Sequence, residues 1–243
     1  MPSPRLEHSH RPRDIADRLA AGPDASYLRD WVYGGIDGAV TTFAIVAGAV
    51  GASLSANVIL ILGVANLLAD GFSMAAANYS GSKSENEDYL RLRAIEEKHI
   101  ALEPEGEREE IRQIFLQKGF DGANLETLVE LVTSNKATWI ETMMQGEYGL
   151  SDISRAPLKA ALYTFAAFVL FGSIPLLPFV LQLPARAETA TSLTMLAFFL
   201  IGSLRARWSQ RHWISCGLET TAIGTVAAGI AFVVGYGLQV LLG

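Results

Sequence analysis

The sequence predicts an all-α membrane protein of five transmembrane helices, with a three-helix cytoplasmic insert between the second and third spans. Three observations predict it. Half of the 243 residues are apolar. Most of the charge is gathered into residues 1–30 and 85–155, and the remainder reads as long apolar runs broken mainly by Gly, Ala, Ser and Thr. That distribution belongs to membrane helices rather than to one soluble core. The charged central stretch keeps a helical period throughout. The expected organisation is a cytoplasmic arm over 1–30, two spans over 31–81, a metal-binding helical domain over 82–153, and three spans over 154–243.

A hydrocarbon core about 30 Å thick takes roughly 20 apolar residues in a helix, because only a helix or a closed barrel satisfies every backbone group there. Five segments qualify: Trp31 to Ser53, Ala56 to Ser80 after the turn "LSAN", Leu158 to Leu181, Ser192 to Leu204 extended toward Ala187, and Ile214 to Leu242. The arm "MPSPRLEHSHRPRDIADRLAAGPDASYLRD" is polar, has no apolar centre, and is not read as a secretory signal. Orientation follows from Lys and Arg in short loops. Arg5, Arg11, Arg13, Arg18 and Arg29 lie in the arm, and Arg205, Arg207 and Arg211 in "RARWSQRHW". Both are expected in the cytoplasm, together with the 85–150 segment, leaving the C-terminus outside. The Arg-rich composition and the lack of an organelle signal point to a bacterial inner membrane. The single Cys216 forms no intrachain disulfide.

A charge at the centre of a span costs about 2.5–3.5 kcal/mol, so an acid there is a functional candidate. Asp37, Asp70 and Glu219 are such acids. Asp70 and Glu219 alternatively lie near the cytoplasmic ends and reach water, or accept hydrogen bonds from Ser and Thr. Asp37 lies about two turns into the first span between Gly34, Gly35 and Gly38, which let another backbone come close. On the second span Asp70, Ser73, Met74, Ala77 and Asn78 share one helical stripe. A hard carboxylate facing a soft thioether suits a borderline ion such as Fe²⁺ better than Mg²⁺ or Ca²⁺. By itself, Met74 is better explained by packing than by ligation.

From Glu85 to Leu150 there are 15 acidic residues against 7 basic ones, a net charge of −8 that leaves +2 for the rest of the chain. Three helices are expected: "ENEDYLRLRAIEEKHIALE", continuous with the second span, then "PEGEREEIRQIFLQKG", then "ANLETLVELVTSNKATWIETMMQGEYG". Glu96 with His99, Glu107 with Glu110, and Met143 and Met144 with Glu147 each share a helix face. Carboxylate, imidazole and thioether together suit a divalent transition metal. For the glutamates alone, a solvated acidic surface laced with charge pairs is the better explanation. The adjacent methionines are what it leaves unexplained.

"DWVYGGIDGAVTTFAIVAGAVGA", "NLLADGFSMAAANYSGSKSE", "PEGEREEIRQIFLQKG" and "MMQGEYGL" together resemble the vacuolar iron transporter family, specifically its prokaryotic branch. The resemblance runs from Trp31 to the end of the chain. It implies a homodimer of five-helix subunits in a lipid bilayer, exporting Fe²⁺, and often Mn²⁺, from the cytosol in exchange for protons. It places the family's first-helix aspartate on Asp37, its second-helix methionine on Met74, and its insert ligands on Glu96, Glu107, Glu110, Met143, Met144 and Glu147. Two positions depart. His99 stands where eukaryotic members have a glutamate, and Asn78 where they have an acid. His99 could still ligate Fe²⁺ or Zn²⁺, with loss on protonation near pH 6.5. No prosthetic group, enzyme activity or nucleic-acid partner is implied.

A membrane-anchored iron oxidase or sensor is the alternative from another class. Glu96-x-x-His99 has the spacing of ferritin-like di-iron sites, but those need a second such motif within the bundle, and neither the insert nor the spans contain one. A passive channel is a third reading, separated by whether a proton gradient drives uphill accumulation.

Overall fold

From Ala56 to Leu102 the backbone is one uninterrupted helix of 47 residues, joining the second apolar run to the first charged one. Nothing between Ser80 and Glu85 stops it. No proline intervenes, and Lys83 pairs with Glu87 at 3.6 Å one turn on. The computed structural model describes residues 8–22, 26–151, 155–208 and 210–242. In chain order its α-helices are α1 (Pro12–Ala21), α2 (Leu28–Gly51), α3 (Ala56–Leu102), α4 (Pro104–Gln117), α5 (Gly122–Thr133), α6 (Lys136–Gly146), α7 (Pro157–Gly172), α8 (Leu177–Val180), α9 (Arg186–Arg205) and α10 (Trp213–Leu242).

Among the described residues, five helical stretches are long and apolar enough to cross a membrane: α2, α3, the stretch Pro157–Val180, α9 and α10. Their outward faces agree, since Ile61, Leu68 and Phe72 on α3 and Val226, Ile230 and Val233 on α10 are exposed, as a lipid-facing surface requires.

Two expected helices are broken. The third span stops at Gly172 and continues as a 3₁₀ turn, Ile174–Leu176, and the short α8. Pro175 and Pro178 remove two backbone donors and crowd the carbonyls a turn earlier, so a regular helix cannot pass. The last helix of the charged segment divides into α5 and α6. There the side-chain oxygen of Asn135 accepts from the backbone N–H of Ala137 (2.9 Å) and Thr138 (3.2 Å), starting a new helix.

The chain forms two compact units, Met1–Ala25 with Lys83–Arg155 and Ser26–Ser82 with Ala156–Gly243. In the second, α2 packs on α7, α9 and α10. Gly34 and Gly38 are spaced to seat α7: a Cβ on either would strike the carbonyl oxygen of Thr164 or Phe168. The glycine pair therefore serves packing within one chain. Gly38→Leu is expected to cost about 1–3 kcal/mol or more and to lower the midpoint of thermal unfolding in detergent. Gly81→Ala on α3, where an added Cβ meets nothing within 4 Å, should be neutral or stabilising in the same assay, because alanine is the better helix former.

In the first unit the apolar core is Ile111, Leu125, Val129, Trp139 and Met143. Arg108 lies over the Trp139 ring at 5.4 Å and donates to Thr133 Oγ1 at 2.8 Å, tying α4 to α5 and α6.

Candidate metal centre

On α3, Asn66, Asp70, Met74 and Asn78 are half-buried at four-residue spacing, while residues 68, 69, 72, 73, 76 and 77 between them are exposed. Ser73 and Ala77, expected on this stripe, lie outside it. Across from it on α2, Thr41 Oγ1 donates to the Asp37 carbonyl (2.9 Å) and accepts from Asn66 Nδ2 (3.5 Å). The Asp37 and Asp70 carboxylates fall within Coulomb range of each other. Among the described residues neither has a hydrogen-bond or ion-pair partner. Two like charges that face each other in a membrane helix pair call for a cation or a proton. Met74 lies one turn beyond Asp70 and packs on the apolar cluster of Leu67, Phe168 and Leu176.

Asn78 is committed elsewhere. Its amide donates to Asp30 Oδ1 (2.9 Å) and Thr164 Oγ1 (2.7 Å), and its oxygen accepts from Ser82 Oγ (3.4 Å). Asp30 is only 5% exposed, so these contacts offset the burial of a carboxylate and tie α2, α3 and α7 together. The sequence reading missed Asp30 by assigning it to the arm; its position one turn into α2 was the available signal. Glu219 has a different fate again. Its Oε2 accepts from Arg205 Nη2 (3.0 Å) and Arg211 Nη1 (2.6 Å), so its partners are arginines rather than Ser or Thr.

The acidic residues of the other unit divide in two. Glu105, Glu109 and Glu126 pair with Arg108 or Arg112, as a solvated surface would. Among the described residues, Glu96, Glu110 and Glu147 pair with no Lys or Arg. Among the described residues the basic group that Glu107 meets is His99, whose Nδ1 stands 3.4 Å from Glu107 Oε1. Glu96 is 1% and Glu107 4% exposed, and Oε2 of each is buried without a hydrogen-bond partner. Burial first, then the neighbouring charges of Glu110, Glu96 and Glu147, push the Glu107 pKa up to about 7. Burial and the charges of Glu96 and Glu110 likewise raise that of Glu147.

Met143 and Met144 are both fully buried. Met143 belongs to the apolar core around Trp139, whereas Met144 is not among that cluster's side chains. Tyr148 donates to Glu96 Oε1 at 2.8 Å. The sequence reading passed over this tyrosine, although it directly follows Glu147. Burial, then its hydrogen bond to Glu96, holds its phenol protonated above the ordinary range. Among the described residues no three His, Cys, Asp or Glu groups converge closely enough to hold an ion as they stand. What the unit offers is two buried oxygens without hydrogen-bond partners, flanked by a phenol, an imidazole and exposed carboxylates, with the thioether of Met144 buried in the same unit, a donor set that fits a divalent transition ion.

A family model described as the VIT family matches residues 28–236. The vacuolar iron transporter of Plasmodium berghei is 33% identical over 225 residues, covering 87% of this chain and 82% of its own. Vacuolar iron transporter 1 of Arabidopsis thaliana is 33% identical over 209 residues, with 84% and 83% covered. The vacuolar iron transporter of Toxoplasma gondii is 32% identical over 231 residues, with 90% and 76% covered.

Proposed function

The chain belongs to the VIT family, and on that premise we propose that it moves Fe²⁺ out of the cytosol through its membrane unit in exchange for protons. The coarser part is plain: it is an integral membrane protein and a metal transporter rather than an enzyme, which sets the oxidase alternative aside. The observation that carries the finer reading is the facing pair Asp37 and Asp70, two carboxylates without a partner among the described residues.

In this reading Asp37, Asp70 and Met74 form the pathway. An arriving Fe²⁺ replaces part of its hydration with the two carboxylates and gains a soft ligand from Met74. Protons entering from the far side neutralise the carboxylates, weaken the site and return inward, which couples the two fluxes. Asn78 holds the helices in register, and Glu219 stays with its arginines.

The charged segment gathers the ion first. Glu96, Glu107 and Met144 supply the buried donors, with Glu110, Glu147 and His99 closing over the metal from the surface. A net charge of −8 over residues 85–150 concentrates divalent cations near it. The arm, this segment and the connection after α9 face the cytoplasm of a bacterial inner membrane, and two subunits pair. Mn²⁺ shares the pathway, since its preference for oxygen ligands is met by the carboxylates.

Proteoliposomes test this directly. An inwardly directed Fe²⁺ supply is expected to give uptake that a pH gradient of the correct sign raises above equilibrium and that a protonophore abolishes. Uptake that only ever equilibrates the ion would identify a passive channel instead.

A further inference from the structure

We propose that a groove at the arginine-rich end of the membrane unit is a binding site for one anionic phospholipid. The groove has a volume of about 610 Å³ and is walled by the first turns of α2 and by Arg205 and Arg211 from the α9–α10 connection. Its two kinds of lining are segregated by sequence. Arg29, Arg205 and Arg211 supply the charge, and Leu28, Val32 and Ile36 supply an apolar strip at four-residue spacing along α2.

The charges are set for a phosphate. Glu219 Oε2 holds the guanidinium groups of Arg205 and Arg211 together, one carboxylate between two of the three arginines. Arg29 is exposed and, among the described residues, has no ion pair or hydrogen bond. Guanidinium groups bind phosphate oxygens in a fork geometry that an ammonium cannot match. Basic pockets at the ends of transmembrane helices, on the side where Lys and Arg collect, recognise acidic headgroups.

The apolar strip identifies the source of that phosphate as a lipid. Ile36 lies eight residues beyond Leu28, about 12 Å along the helix, so the strip runs from the arginines into the segment long and apolar enough to cross the membrane. A free phosphate would use the arginines and leave the strip bare. A lipid uses both, the headgroup at Arg29, Arg205 and Arg211 and an acyl chain along Leu28, Val32 and Ile36. A zwitterionic lipid brings its own cation against the arginines and fits less well.

The full chain in detergent, titrated with phosphatidylglycerol, phosphatidylcholine or inorganic phosphate, tests the proposal by native mass spectrometry and thermal unfolding. Phosphatidylglycerol is expected to be retained at one molecule per chain and to raise the unfolding midpoint, with phosphatidylcholine and inorganic phosphate doing neither. Arg29→Gln, which disturbs no ion pair, should weaken phosphatidylglycerol binding about five- to tenfold. Arg205→Lys, which keeps the charge beside Glu219 but not the fork, should weaken it as well. Equal retention of both lipids, wild-type retention by Arg29→Gln, or an equal shift from inorganic phosphate would overturn the assignment. So would a change in subunit number in Arg29→Gln without loss of lipid, which would make the groove a contact between copies of the chain.

Discussion

Asp37→Asn is expected to lower Fe²⁺ uptake into sealed proteoliposomes about ten- to one-hundredfold, the rate equivalent of a lost charge-assisted contact of about 1.5–3 kcal/mol. The amide keeps the shape and the half-buried position of the side chain, so packing is left alone. What it removes is one of two carboxylates that have no partner among the described residues and that depend on a cation or proton to coexist. Relief of that repulsion should leave the unfolding midpoint unchanged or higher while uptake falls. Asp30→Asn is the informative contrast. Asp30 is buried and accepts from Asn78, so replacing it should lower the unfolding midpoint through the α2, α3 and α7 tie. An Asp37→Asn protein with wild-type uptake would remove this carboxylate from the pathway and, with it, the proposed route.

How much of this was legible in the sequence depends on the range of the interaction involved. The spans were legible because crossing a bilayer demands a long apolar run, a property of one segment. The continuity of α3 past Ser80 was legible for the same reason, since nothing there stops a helix. The breaks were local too, but required weighing Pro175 and Pro178 inside an apolar run, and Asn135 inside a helical period, above the pattern around them. Partners across helices were not legible. Nothing local distinguishes Asn78, which reaches Asp30 and Thr164, from Asp70 two turns earlier on the same stripe. Nor does anything local announce that Glu219 pairs with Arg205 and Arg211. Within the charged segment, spacing proposed Glu96 and Glu107 but could not separate them from Glu105 and Glu109. Burial and the absence of arginine partners among the described residues make that separation.

The pH response of the charged unit follows from that separation. The folded-state pKa of Glu107, about 7, lies above its ordinary value of 4.5. Between those values the folded protein keeps a proton that the unfolded chain has released, so folding is favoured at low pH and the advantage disappears as pH rises through 7. Amide exchange over α4 to α6 in the ion-free full-length protein should therefore quicken from about pH 5 to pH 8 beyond the intrinsic base-catalysed increase. Fe²⁺ binds the carboxylate and not the acid, so the protection it confers under anaerobic conditions should grow over the same range. Glu107→Gln separates structure from site, because it removes a buried charge that has no cation to meet it. The ion-free variant should be better protected than wild type above pH 7 and lose most of the pH dependence. Its Fe²⁺ affinity should fall at least about tenfold, since even residues behind a ligand cost 10- to 100-fold when removed. A variant less protected than wild type at pH 8, yet with unchanged affinity, would make Glu107 a structural residue and move the ion to the surface carboxylates Glu110 and Glu147.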